Sequence, residues 1–226
     1  MVTSFAGQGG GSSCSSIGGD ENAAYDDGLN VLHVSCGQAA PGSIAAVPFS
    51  CSLSDNSIHT YDLGTLRLVH SIPQAHEKQF SITDLCHMGA ENNAMVVSSG
   101  TDGYVRIFDL RQQQQSSRAA VVQMALPKKE EALSVSLGYG GNLAAVGSSK
   151  SPIHFFDLRK GNTSPTSTNL LGSYVDAHTE EVTKVRFQKG SDGITTTSLL
   201  VSASEDGLAC VFDTSQSSEE AALKSV

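Results

Sequence analysis

Residues 104–110 read YVRIFDL, and the same short segment returns as SIHTYDL at 57–63, PIHFFDL at 152–158 and LACVFDT at 208–214. Each copy ends on an aromatic residue followed by Asp, at Asp62, Asp109, Asp157 and Asp213, with spacings of 47, 48 and 56 residues. A run of β-branched and aromatic residues of this length predicts a strand. Its return at near-constant spacing predicts a stack of similar units, each too small to bury its apolar face alone. Outward from 104–110, the second unit contains FSITDLCHM, then AMVVSSGT, and afterwards AAVVQMAL. Each reads as a further strand, so one unit holds about four. Asp102-Gly103 separates the second strand from the third, and Asp206-Gly207 does so in the fourth unit. The pair suits a tight turn, because Gly accepts positive φ and the Asp carboxylate takes up backbone N–H groups. From Leu29 onward no stretch keeps a helical period, so the expected class is all-β.

Four units fit, at about 29–72, 73–126, 127–174 and 175–216. Residues 1–28 are rich in Gly, Ser and acids and are expected to form a disordered tail. Residues 112–118 and 160–169 are polar connectors whose length is free to vary on a surface. After Asp213 the sequence TSQSSEEAALKSV contains no evident strand, so 217–226 is expected to be a truncated tail and the last unit to lack its fourth strand. That leaves an unpaired edge through which the chain is expected to self-associate.

The net charge of −9 argues against nucleic acid as a partner, since phosphate binding draws on clustered Lys and Arg. No basic segment leads into an apolar one at the N-terminus, and no apolar run approaches the roughly 18 residues of a membrane span. Five cysteines, at 14, 36, 51, 86 and 210, form no CxxC pair, so neither a metal site nor a disulfide framework is expected. Gly9-Gly10-Gly11 precedes no Gly-Lys-Ser/Thr, and no cofactor is expected. Asn162-Thr163-Ser164 matches a glycosylation acceptor by three residues only and carries no weight. The expected location is cytoplasmic, nuclear or both.

Two longer segments, AHEKQFSITDLCHMGAENNAMVVSSGTDGYVRIFD at 75–109 and AHTEEVTKVRFQKGSDGITTTSLLVSASEDGLACVFD at 177–213, resemble the WD-repeat family. Ala-His stands where that family has Gly-His, and Phe-Asp where it has Trp-Asp. The first unit lacks the His, and the third has Lys150-Ser151-Pro152 in place of Asp-Gly. The resemblance implies a β-propeller. WD propellers commonly have seven blades, so four units read as an open part of such a ring.

It also implies a structural network in each strong repeat, made of His76, Ser98, Asp102 and Phe108 and again of His178, Ser202, Asp206 and Phe212. Phe lacks the indole N–H of the family's Trp, so each network is expected to lose one hydrogen bond. A Ser, a His and an Asp also allow a hydrolase reading. Repetition of the trio and the absence of a G-x-S-x-G elbow favour architecture, and no catalytic residue is assigned. His59 and His154, at matching points of the third strand, are read as surface or packing residues.

The second and third units end alike, in Phe-Asp-Leu-Arg at 108–111 and 156–159. Adjacent endings of this kind resemble the box by which WD propellers dock on the adaptor of a cullin-RING ubiquitin ligase. The resemblance implies a non-catalytic interaction scaffold acting as a substrate receptor, with Asp109, Arg111, Asp157 and Arg159 at the contact. The competing reading is a structural subunit of a multiprotein assembly, in which each Arg only pairs with its neighbouring Asp.

Overall fold

The computed structural model describes residues 28–37, 47–88, 94–111, 120–159, 169–190 and 196–225. The tail at 1–27, most of the two polar connectors and Asn162 lie outside them.

The repeated sequence becomes four repeated sheets, each of four antiparallel strands in chain order. The first holds β1 (Val31–Cys36), β2 (Pro48–Leu53), β3 (Ile58–Asp62) and β4 (Leu68–Ile72). The second holds β5 (Ile82–His87), β6 (Met95–Gly100), β7 (Tyr104–Asp109) and β8 (Val122–Ala125). In the third are β9 (Ala132–Gly138), β10 (Leu143–Ser148), β11 (Ile153–Asp157) and β12 (Leu170–Tyr174). The fourth comprises β13 (Val182–Lys189), β14 (Thr196–Ser204), β15 (Ala209–Asp213) and β16 (Leu223–Ser225).

Alternation along each strand gives a blade two packed faces. In the second blade the paired Val96 and Phe108 join Ile58 of the first blade in one core. Val97 and Ile107, one residue on, join Ala144, Val146 and Phe156 of the third blade in another. A third core joins Ala145, Ile153 and Phe155 to Val185, Leu200 and Phe212 of the fourth blade. The apolar cores therefore sit between the blades, which is why no single unit could be stable alone.

Inner strands pack in succession, β1 on β5, β5 on β9 and β9 on β13. No comparable packing joins β13 to β1 among the described residues, so the four blades form an open arc.

The turn between second and third strands is positive-φ in every blade. Gly103 (φ +76) and Gly207 (φ +83) occupy it in the strong repeats, while Asn56 (φ +65) and Ser151 (φ +77) occupy it in the weak ones. Asp102 and Asp206 accept the N–H groups of Tyr104 and Leu208 across it, and Asp55 accepts that of Ser57.

The expectation that no fourth strand closes the last blade is corrected. Ser218 caps a single helical turn, Glu219–Ala222, whose Ala222 is fully buried, and the chain then pairs with β15 as β16. Three residues are too few to show a strand period, and the preceding Glu-Glu-Ala-Ala favours a helical turn.

Candidate functional site

Three groups of polar residues recur or converge in this frame. The first is the network expected in the strong repeats. In the second blade, Asp102 can only accept, so His76 donates from Nδ1 at 2.9 Å and takes the Ser98 hydroxyl at Nε2 at 2.7 Å. In the fourth, His178 donates to Asp206 at 3.1 Å and takes the Ser202 hydroxyl at 2.7 Å. Gly100 is required beside His76, because a Cβ there would stand 2.4 Å from Nδ1.

These trios have the connectivity of a hydrolase triad but not its access. Ser98 and Ser202 are 0% and 1% exposed, so neither hydroxyl can meet a substrate. Burial lowers the pKa of His76, outweighing the pull of Asp102 in the other direction. For Asp102 burial acts upward, yet hydrogen bonds and charge from His76 and Arg106 hold it below the usual carboxylate range. Asp206 is likewise brought to about 2 against the effect of burial, by the Thr179 and Leu208 N–H groups and by His178.

Phe108 and Phe212 lie in the apolar cores beside the networks. The donor that Phe lacks is supplied differently in the second blade: Arg106 of the same strand donates to Asp102 and lies over the Tyr104 ring. Cys210 holds the corresponding place in the fourth blade. In the third, His154 holds it, donating to buried Glu130 at 2.8 Å and accepting from Ser173 at 2.6 Å. His154, expected as a surface or packing residue, is buried and, in the blade whose turn lacks Asp-Gly, anchors a polar pair of its own.

A second group escaped the sequence reading. Every blade carries a bulge at the head of its inner pair, which places His33, Asp84, Ser134 and Lys184 at equivalent positions. Asp84 is nearly fully buried and gathers Arg186 at 2.9 and 3.2 Å, Lys184 at 3.3 Å and the Ser134 hydroxyl at 2.7 Å. One carboxylate thus ties the second, third and fourth blades together. Burial acts to raise its pKa, but Arg186, Ser134 and Lys184 outweigh that and lower it. His33 joins the group from the first blade, its pKa lowered by burial and then by the two cations, against the pull of Asp84. The available signal was the alignment of ITDL with VTKV, which sets opposite charges at one repeat position.

The third group is the pair of Phe-Asp-Leu-Arg endings. Arg111 grips Asp109 with Nε and Nη2, both at 2.9 Å, and its backbone N–H meets the same carboxylate. Arg159 grips Asp157 in the same way, again at 2.9 Å twice. The two guanidinium-bearing side chains are 65% and 70% exposed. Pairing lowers the pKa of Asp109, chiefly through the Arg111 hydrogen bond, and raises those of both arginines. The four residues therefore form two separate and equivalent local forks.

Among the described residues no His, Cys, Asp and Glu cluster could hold a metal ion, and no helix is long and apolar enough to cross a membrane.

Four-stranded blades, inter-blade cores and repeated His–Ser–Asp networks define a WD-repeat β-propeller fold. Residues 66–109 match the family described as WD domain, G-beta repeat. The chain is 27% identical to an uncharacterized WD repeat-containing protein of Schizosaccharomyces pombe, over 73% of its length and 45% of the relative's. It is 28% identical to another such protein of Saccharomyces cerevisiae, over 77% of its length and 41% of the relative's. Family match and relatives together support the WD-repeat family, and the chain spans less than half the length of these relatives. A solved chain in the mitotic checkpoint complex superposes with a TM-score of 0.57 at 16% identity, over 76% of this chain and 44% of that one, a likeness of fold.

Proposed function

We propose that this chain is a protein-interaction scaffold, cytoplasmic or nuclear, that docks on the adaptor of a cullin-RING ubiquitin ligase through Arg111 and Arg159. WD-repeat proteins generally act as interaction scaffolds, and the closed serine hydroxyls favour that role over hydrolysis. The observation that carries the docking reading is the identical fork in two consecutive blades. Each Asp holds its Arg in one orientation at the surface, so little side-chain entropy remains to be lost on binding. An arginine presented in this way can offer its remaining Nη1 hydrogens to carbonyl or carboxylate groups, a geometry Lys cannot reproduce.

One observation favours the alternative, a subunit of a multiprotein assembly with no ligase link. The better-aligned half of each fork is already spent on Asp109 or Asp157. The test is binding of the purified adaptor to the wild-type chain and to Arg111→Ala/Arg159→Ala. Docking through the forks requires binding to be lost in the double variant while its unfolding transition is unchanged. Equal binding by the two chains overturns it in favour of the assembly reading.

A further inference from the structure

The third blade departs from its neighbours at its entrance. The connector Ile72-Pro73-Gln74-Ala75-His76, which enters the second blade, returns before the third as Leu126-Pro127-Lys128-Lys129-Glu130. Glu130 therefore stands in the place of the network His, and Lys129 in that of Ala75. In the second blade Ala75 is 4% exposed, and its N–H bonds the Asn56 carbonyl in the turn of the blade before. Before the third blade it is the Leu126 N–H that meets the equivalent carbonyl, that of Gly103, and Lys129 is turned out to solvent. Lys128 has φ +52, much as Gln74 has +54, but Lys129 follows at +57 while Ala75 stays out of the left-handed region. Two successive non-Gly residues in that region persist only where their surroundings fix them.

Here the surroundings fix them from both sides. Leu126 and Glu130 are each 5% exposed, and the Glu130 carboxylate accepts from His154 Nε2 at 2.8 Å. The Glu130 carbonyl lies so close to Gly103 that a Cβ there would stand 2.6 Å from it. One residue on, the Glu131 N–H donates to the Ser149 hydroxyl at 3.0 Å and the Ser149 N–H to the Glu131 carbonyl at 3.1 Å. This ties the connector to the turn between β10 and β11, where Lys150 stands at the position of Asp55, Asp102 and Asp206 in the other blades. The Ser148 hydroxyl accepts the Lys150 N–H and fixes the backbone there.

The sign of charge is thereby inverted at this end of the third blade. Lys128, Lys129 and Lys150 are all exposed, as is Glu131, while Glu130 is turned inward onto His154. Three positive charges less one negative leave a local surplus of two, on a chain whose net charge is −9.

We propose that Lys128, Lys129 and Lys150 form a docking surface for an acidic peptide segment of a protein partner, with Glu130 as the positioning residue that holds the two connector lysines. A fixed backbone reduces the ordering loss that makes most exposed ion pairs weak. Positive charge on an otherwise acidic chain also steers such a segment to this spot. The surface lies at the start of β11 and the Arg159 fork beyond its end, so the site is separate from the forks and does not rest on the adaptor reading.

The probe is a fluorescein-labelled oligoglutamate peptide of about six residues, titrated against the full chain by anisotropy at low ionic strength, where exposed charges are least screened. Lys128→Ala/Lys129→Ala/Lys150→Ala is expected to bind it roughly tenfold or more weakly than wild type. Lys78→Ala/Lys189→Ala/Lys224→Ala makes the same change in net charge at exposed lysines elsewhere and is expected to stay within about twofold of wild type. Glu130→Ala removes a negative charge, which by itself would strengthen binding, yet is expected to weaken it about threefold or more because the lysines lose their fixed backbone. Absence of binding to the wild-type chain, equal loss in the two triple variants, or binding by Glu130→Ala as tight as wild type overturns the proposal. Should Glu130→Ala not keep its fold by circular dichroism, His154→Ala takes its place, with the same outcomes for and against.

Discussion

Asp84→Asn removes one negative charge from the convergence of the inner strands while keeping the size of the side chain. An oxygen remains to accept from Ser134 and from the Val135 N–H, so the loss falls on Arg186 and Lys184. Leaving a fully buried charge without its partner costs about 3–5 kcal/mol. The Arg186 and Lys184 side chains are 47% and 46% exposed and would regain water, which brings the expected cost down to about 2 kcal/mol, within the range for hydrogen bonds to charged groups. For a domain of this size that corresponds to a fall of about 4–8 °C in Tm. The assay is urea and thermal unfolding of both chains, followed by circular dichroism across a pH series. Asp84 has its folded pKa lowered, so its contribution is present above the unfolded carboxylate value of about 3.9 and is lost as pH falls through the folded value. The gap between the chains should therefore be steady from pH 7 to about pH 5 and then shrink as Asp84 protonates. A gap below about 0.5 kcal/mol at pH 7, the range of an ordinary surface substitution, would refute the claim that Asp84 ties three blades together. So would a gap that persists in full near pH 2.

Phe156→Ala opens a cavity in the core between the second and third blades, where the ring is 2% exposed, and should cost about 3–5 kcal/mol in urea unfolding. A loss under about 1 kcal/mol would mean that the junction is looser than described. Cys86, its thiol pushed up to about 12 by burial, should resist iodoacetamide in the native chain, whereas exposed Cys36 should react; site-resolved mass spectrometry reads both. The arc leaves Val31 and Val34 exposed on the first blade and Val201 and Leu208 on the fourth, and self-association would cover them. Light scattering after size exclusion should find more than one chain per particle, and a stable monomer would contradict this.

The blades were legible because the aromatic-Asp ending survives in all four repeats even where the rest has drifted. His76, Ser98 and Asp102, with His178, Ser202 and Asp206, followed from the resemblance to the WD-repeat network, and in both repeats the Ser and the Asp stand at the same distance from the ending while the His does not. What remained hidden has two physical causes. Asp84 and Arg186 are 102 residues apart, and only the convergence of inner strands from different blades brings them together. β16 is too short to carry a period, and what seats it is the Glu219 carboxylate on the main-chain N–H groups of Val175, Asp176 and Ala177, a contact with no side-chain signature on the donating side. Glu130 belongs with these. It stands 24 residues before His154, and only the folding of the third blade brings the two side chains together.

The proposed division of labour, with buried networks building the blades and the surface forks binding a partner, is tested most directly in cells. Wild-type and Arg111→Ala/Arg159→Ala chains, expressed at matched levels, are affinity-purified side by side and their partners quantified by mass spectrometry. The expected result is recovery of a cullin and its adaptor with the wild-type chain and their loss with the double variant, at equal yield of folded protein. Identical partner sets for the two chains would contradict the role given to the Phe-Asp-Leu-Arg endings.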